Sequence, residues 1–172
     1  MVDVSGHLGM ALLATTPIWF GYGRRAALTF VGLALPFGLL PDIDLYLRRV
    51  FPTIHHHGVT HTIVVVVGVS LIVGVLVAPT LLPYLRQRGW LPDGEIGNEY
   101  AFVVGAFAIG GLSHLFADML SAPDISEPIE PFWPIVVQPV SLDVFYYNAP
   151  LANFGLLAAG IAAHLVLWRW QA

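Results

Sequence analysis

The sequence TIVVVVGVSLIVGVLVAPTLLPYL at residues 62–85 carries no charged side chain and decides the class of protein. A helix needs about 20 consecutive apolar residues to cross the hydrocarbon core of a bilayer, and this stretch is long enough. Its valines are β-branched, but an isolated strand in lipid would leave backbone groups unpaired. The stretch therefore predicts a membrane-spanning helix.

Four further stretches without formal charge extend this interpretation to the whole chain. They lie at residues 4–23, 26–41 and 100–117 and within residues 144–168. The stretch 26–41 is the shortest, so its end is expected in the interfacial zone. The first stretch lacks the basic start of a signal peptide and is expected to be a retained helix. The sequence predicts an all-α integral membrane bundle of about five transmembrane helices, in one domain at residues 1–172.

The composition agrees with a membrane protein and excludes several other classes. Of the 172 residues, 57% are hydrophobic and 10% are charged, whereas soluble domains carry about 25% charged residues. The net charge of -4 argues against a nucleic-acid partner, which would require a basic face. Cysteine is absent, so neither a disulfide nor a cysteine-ligated zinc site can form.

The arginines predict the orientation of the chain in the membrane. Positively charged residues are enriched on the cytoplasmic side of membrane proteins. If the N-terminus lies outside the cytoplasm, five of the seven arginines lie on the cytoplasmic side, so this orientation is favoured. The sequence thus predicts a multi-pass protein of the inner (plasma) membrane. The inner group is Arg24, Arg25, Arg86, Arg88 and Arg169, and the outer group is Arg48 and Arg49.

Polar side chains that can bind metals stand at four places beside the apolar stretches, where such groups are costly and usually functional. The five-helix topology places all four at the same end of the bundle, which is the extracytoplasmic end by the arginine count. The sequence therefore predicts a polar metal site at one membrane face. The four places are His7, Asp42 with Asp44 in LPDIDL, the tract HHHGVTHT at residues 55–62, and His114 with Asp118 in SHLFAD.

The spacing of these residues favours metal ligation. His114 and Asp118 are four residues apart and share one face of a helix, so they can bind one metal ion or two neighbouring ions. Gly58 favours a turn between His56 and His61. Histidine and aspartate ligands without cysteine suit Zn, Mn or Fe.

Asp42 and Asp44 face the same way only if the chain is extended there. In a helical conformation, one of the two is expected to support the site rather than bind the metal. Structural interpretations also stay open: either aspartate could cap a helix, His7 could be an interfacial polar residue, and His114 with Asp118 could form a hydrogen-bonded pair. Two other histidines are expected to take no part in a site: His55 and His164.

The motifs GHL, LPDIDL, HHHGVTHT, SHLFADMLS and EPFWPI, in this order, resemble the membrane-bound metal-dependent hydrolases. Bacterial members are described as LexA-regulated inner-membrane hydrolases, and the family is distantly similar to zinc-dependent phospholipase C. The resemblance runs from His7 to about Ile135. It departs from the usual pattern at His57, where arginine is common, and at Thr62, where serine is common.

The resemblance implies a divalent metal centre of one or two ions, with zinc as the first choice and Mn or Fe as alternatives. It implies that metal-activated water cleaves a phosphoester of a membrane lipid or lipid-linked substrate, with Asp118 or Asp44 as bridging ligand or general base. The PFWP sequence at residues 131–134 is expected to form an interfacial lip for the headgroup. The alternative is a non-catalytic metal-binding membrane protein or a metal transporter. The implied ligands are His7, Asp42, His56, His61, His114 and Asp118, with Asp44 as a further candidate.

Overall fold

The computed structural model describes residues 2–147 and 149–171, which contain six α-helices. Short 3-10 turns occur at Thr16–Phe20, Pro41–Ile43 and Val59–His61. No strand longer than an isolated bridge forms in the described residues, so the all-α prediction is confirmed. The helices are α1 Val4–Thr15, α2 Arg24–Phe37, α3 Asp44–Leu47, α4 Ile63–Gln87, α5 Glu99–Leu120 and α6 Pro150–Trp170.

The helices begin where the sequence supplies a capping residue. Asp3, Thr62 and Asn98 each accept a hydrogen bond from the backbone N–H three residues further on, at the starts of α1, α4 and α5. Such caps satisfy a donor that has no partner within the helix. Helix α6 begins with Pro150, which lacks an N–H and loses no hydrogen bond at this position.

Within the described part of the chain, four helical segments are long and apolar enough to cross a membrane, in agreement with the predicted membrane bundle. The expectation that the second span is the shortest was wrong, because the chain stays helical through the Pro41–Ile43 turn into α3. The first helix is the short one: α1 ends at Thr15, since Pro17 in the following turn cannot donate a backbone hydrogen bond. The four segments are Arg24–Leu47, Ile63–Gln87, Glu99–Leu120 and Pro150–Trp170.

Helix α5 lies at the centre of the bundle, with α1, α2 and α4 packed around it and α6 packed on α1. Glycines allow the backbones to come close. A Cβ added at Gly110 of α5 would lie 2.1 Å from the carbonyl oxygen of Ala34 in α2, and one added at Gly9 of α1 would lie 2.4 Å from the backbone nitrogen of Leu157 in α6. Small residues at such contacts are typical of membrane helices.

The outward faces of the bundle are apolar. On α4, Leu71, Ile72 and Leu76 are exposed, and Leu151 of α6 is 93% exposed. Contiguous exposed apolar surface of this kind marks contact with lipid rather than water. The buried core between α2, α4 and α5 is made of aromatic and aliphatic side chains, including Phe30, Leu82, Phe102, Val103 and Phe107.

The topology separates polar groups between the two ends of the bundle. The start of α1, the α2–α4 connection and the end of α5 meet at one end. At the other end, Arg25 donates a hydrogen bond to the carbonyl of Gly89 at 2.8 Å, and the guanidinium of Arg24 lies 5.2 Å from the ring centre of Trp168. The end that holds the predicted metal ligands is therefore opposite to the end where α2 starts and α4 and α6 finish.

Candidate metal centre

Five buried side chains from four elements meet at one end of the bundle. Each is fully buried except Asp42, whose side chain is 14% exposed. Helix α1 contributes one, the 3-10 turns Pro41–Ile43 and Val59–His61 contribute one each, and α5 contributes two from successive turns of the same face. They are His7, Asp42, His61, His114 and Asp118.

The potential ligand atoms of these side chains converge. His114 Nε2 lies 3.1 Å from Asp118 Oδ2, 3.3 Å from His61 Nε2 and 3.6 Å from Asp42 Oδ1. His61 Nε2 lies 3.5 Å from Asp42 Oδ1 and 3.7 Å from Asp118 Oδ2. His7 Nε2 lies 3.5 Å from Asp118 Oδ1, and its ring stacks on that of His114. This arrangement of imidazoles and carboxylates could hold a metal ion.

Hydrogen bonds on the far side of two imidazoles orient their Nε2 atoms into the cluster. His114 Nδ1 lies 2.8 Å from the carbonyl oxygen of Gly38, which can only accept, so Nδ1 carries the proton. His61 Nδ1 lies 3.3 Å from Asp44 Oδ2. The two Nε2 atoms face each other at 3.3 Å, and a cation between them could take both as ligands.

Several atoms of the cluster have no hydrogen-bond partner. Among the described residues, these buried atoms include both ring nitrogens of His7, Asp42 Oδ1, His57 Nε2 and Asp118 Oδ2. Leaving one buried polar atom unpaired costs about 1–3 kcal/mol, so several at one place require a compensating partner. Ligation of a cation would satisfy those atoms that face the cluster, including one nitrogen of His7, and the residues therefore fit a metal centre.

Asp44 has a different role from Asp42. Its fully buried carboxylate lies 2.9 Å from His56 Nδ1 and 3.3 Å from His61 Nδ1, and it accepts hydrogen bonds from the His57 N–H at 3.2 Å and the Thr60 hydroxyl at 3.0 Å. A carboxylate that orients a histidine ligand in this way is common around metal sites. The chain is helical from Pro41, so only one aspartate of the pair faces the cluster, and that one is Asp42.

His57 also faces the cluster, although the sequence analysis left it out of the ligand set. Its backbone φ is 63°, a left-handed conformation that residues with side chains rarely adopt. Its Nδ1 contacts the carbonyl oxygen of Glu127, and its Nε2 lies 3.9 Å from Asp118 Oδ2. Burial lowers the pKa of His57 to about 4, so the ring is neutral at pH 7. The run of three histidines was the available sequence signal.

His56 lies at the outer margin of the cluster. Its side chain is 10% exposed and pairs with Asp44. It belongs to two groups whose ligand atoms all lie within 4.8 Å of one another: one with His57 and His61, and one with Asp42 and Asp44. This geometry places the predicted ligand His56 where a second ion could be held.

The cluster carries an excess of carboxylates, which favours a cation. Burial alone would lower the pKa of His61, but the neighbouring carboxylates of Asp42, Asp44 and Asp118 raise that pKa to about 9. Three buried carboxylates thus stabilise positive charge at this point of the protein.

Two histidines lie apart from the cluster, as the sequence analysis expected. His164 accepts a hydrogen bond from the indole N–H of Trp19 at 2.7 Å and contacts the carbonyl of Leu12, between α1 and α6. His55 is exposed in the loop before the Val59–His61 turn. Neither is within the groups that could hold a metal ion.

The segment from residue 121 to 147 covers the cluster end of the bundle. Ile129 is fully buried there, and the carbonyl of Pro131 accepts a hydrogen bond from the N–H of Ile63 at 2.9 Å. A cavity of about 170 Å³ lies beside His57, between this segment and the start of α4. Its lining residues are His57, Gly58, Val59, Thr62, Glu130 and Trp133.

Comparisons with known proteins place the chain in a family. Neither the curated proteins nor the solved structures contain a match. The sequence model of the family described as YdjM inner membrane protein matches residues 1–172. This description agrees with the four apolar helical segments, and together they indicate a multi-pass inner membrane protein. The chain belongs to the YdjM inner membrane protein family.

Proposed function

We propose that this protein is a membrane-bound metal-dependent hydrolase that cleaves a phosphoester of a lipid or lipid-linked substrate. The observation that carries the proposal is the convergence of buried imidazole and carboxylate atoms, several of which have no hydrogen-bond partner. The family match supports the membrane location, and the motif order supports the hydrolase class.

The residues that would hold a divalent ion are those that converge. Zinc is the first choice for three imidazoles with two carboxylates, and Mn or Fe is an alternative. When bound, such an ion polarises a phosphoryl oxygen and makes a bound water more acidic. The proposed ligands are His7, Asp42, His61, His114 and Asp118, with His56 and His57 available at the margin.

The residues of the chain have distinct parts in this proposal. Asp118 accepts a hydrogen bond from the N–H of Val2 through Oδ1 and directs Oδ2 into the cluster, so Oδ2 is the oxygen that could bind or bridge the metal. The ring of His57 is neutral, and its Nε2 lies 3.9 Å from Asp118 Oδ2. His57 can therefore orient a polar group of the substrate beside Asp118. Asp44 holds His61 in place and is a positioning residue in this proposal, although the sequence analysis considered it as a base.

A lipid substrate suits the position of the cluster. The segment beside the cavity near His57 exposes several large apolar side chains, whose contact with lipid would place the cavity at the membrane interface. By the arginine count, this interface is the extracytoplasmic one. The exposed side chains are Phe132, Trp133, Ile135, Val136 and Val137.

A metal transporter is the main alternative, and the bundle beyond the cluster argues against it. Transporters bind their substrates near the bilayer midplane, with access from both sides. Here the cluster lies at one end, and the rings of Phe37 and Phe107 stack at 3.8 Å in the adjoining core. Metal flux in proteoliposomes would support the alternative over the hydrolase.

Elemental analysis of the purified full chain tests the metal centre. We expect one or two divalent ions per chain, loss of metal in His114→Ala, and unchanged metal in His55→Ala, because His55 is an exposed histidine outside the cluster. Absence of metal from well-folded protein would contradict the metal centre.

Hydrolysis by the metal-loaded protein tests the activity. Lipid phosphomonoesters, phosphodiesters and acyl esters form the substrate panel, and we expect phosphate-ester cleavage that His114→Ala abolishes. A metal-loaded protein that cleaves none of them would contradict the hydrolase proposal.

A further inference from the structure

An apolar cavity of about 190 Å³ lies beside the candidate metal centre. Its walls come from the end of α2, the Pro41–Ile43 turn, the first turns of α4 and one glycine of α5. Thr60 supplies its one polar side chain, and the hydroxyl of Thr60 already donates to Asp44. The principal lining residues are Phe37, Ile43, Thr60, Val65, Val69 and Gly111.

The elements that line this cavity also carry the proposed metal ligands. Ile43 stands between Asp42 and Asp44, and Thr60 directly precedes His61. Gly111 lies one helical turn before His114 on α5. The cavity and the ligand cluster are therefore formed by neighbouring positions of the same elements.

The cavity lies between two helices that span the membrane. Helices α2 and α4 each pack along α5, with little direct contact between them. Ile43 at the edge of the cavity is 42% exposed, and the neighbouring α4 residues Val64 and Val67 are also exposed. The edge of the gap is therefore apolar, and in a bilayer it would meet lipid rather than water.

Water is a poor occupant of this space. A bound water requires two to four polar partners, and the lining offers only Thr60, whose hydroxyl proton is already engaged. An apolar cavity that opens to lipid is matched by a hydrocarbon chain.

We propose that this cavity binds the acyl chain of the lipid substrate while the headgroup reaches the metal centre. The inference rests on the proposed function and narrows its substrates to lipids with a long hydrocarbon chain. It assigns Val65 and Val69, which are one turn apart on α4, to recognition of that chain.

Photocrosslinking in a bilayer tests the acyl-chain site. The full chain is reconstituted into nanodiscs of phosphatidylethanolamine and phosphatidylglycerol that contain phosphatidate with a diazirine on one acyl chain. Irradiation and peptide mapping are expected to give crosslinks at Phe37, Ile43 and Val65. In Val69→Phe, these crosslinks should fall about fivefold or more, because the larger ring overpacks the cavity.

Val67→Phe is the matched control, because Val67 lies on the same helix, is 41% exposed and does not line the cavity. It should leave the crosslinks unchanged. Should Val69→Phe fail to fold, Val65→Met fills the same cavity with a flexible side chain and should give the same loss. Equal crosslinking in the filling and control variants, or cavity crosslinks no stronger than those on the outward faces of α4 and α6, would overturn the inference.

Metal analysis of the same samples separates this inference from the proposed function. Cavity crosslinks in a protein that holds no metal would leave the lipid site standing and contradict the metal centre. Bound metal without cavity crosslinks would contradict only the acyl-chain site.

Discussion

At the level of single residues, Asp42 and Asp44 lie two positions apart and have different surroundings. Asp42 directs an unpaired oxygen at His61 and His114, whereas the carboxylate of Asp44 is fully engaged by histidines and Thr60. The difference arises because the chain is helical here, so successive acidic residues cannot point to the same side.

Substitution of the two aspartates should separate their roles. We expect Asp44→Asn to weaken metal affinity by about 10–100-fold, as is typical for a residue that orients a ligand. Asp42→Asn removes a ligand charge and should weaken affinity further. Competition with a chromophoric chelator measures the metal affinity of both variants, with His55→Ala as the control. A larger effect of Asp44→Asn would reverse the assignment.

At the level of helices, close backbone contact depends on glycine at particular positions. Gly110 leaves no room for a Cβ against Ala34, whereas a Cβ at Gly105 on the same helix would meet its nearest neighbour, in Phe30, at an ordinary 3.8 Å. The contact between α2 and α5 sets the distance between the turn that holds Asp42 and the helix that holds His114.

Gly110→Ala should therefore destabilise the protein by about 1–3 kcal/mol through overpacking. Gly105→Ala should be neutral or stabilise by about 0.5–1 kcal/mol, because alanine favours the helix. Unfolding in mixed detergent micelles measures both variants. Equal free energies of unfolding for Gly110→Ala and Gly105→Ala would show that α2 and α5 can move apart without loss of stability.

At the level of the whole molecule, the proposed metal joins four elements that are distant in sequence. His7, Asp42, His61 and His114 come from separate parts of the chain, and Asp118 joins them from the same helix as His114. A ligand that binds only the folded state stabilises it by mass action.

Removal of the metal should lower the thermal stability of the whole bundle. A ligand at 100 times its dissociation constant contributes about 2.7 kcal/mol, so a chelator should lower the Tm and added metal should restore it. His114→Ala should show no such response. Thermal unfolding in detergent measures this, and a chelator-insensitive Tm in metal-loaded wild-type protein would contradict the expectation.

The orientation of the whole bundle is also testable, because the chain contains no cysteine. Ile125 is 58% exposed at the cluster end, and the side chain of Asp93 is 97% exposed at the other end. With the N-terminus outside, a membrane-impermeant maleimide should label Ile125→Cys in intact spheroplasts and Asp93→Cys only after permeabilisation. The opposite pattern would place the cluster on the cytoplasmic side.

Local sequence was sufficient to predict the helical membrane class. The length of an uncharged stretch is a local property, and a stretch of about 20 apolar residues is stable in the hydrocarbon core of a bilayer. Local sequence was also sufficient to expect His7, Asp42, His61, His114 and Asp118 at one end, since alternating spans place every second connection on the same side. The assignment of these residues as ligands stays a prediction until a metal is measured.

Only the tertiary structure decided the remaining features. It distinguished Asp42 from Asp44, turned His57 inward through a left-handed backbone, shortened α1 at Thr15 and left the apolar cavity between α2 and α4. Each depends on hydrogen bonds or packing between elements far apart in the chain. The spacing of residues within one segment contains no information about such contacts.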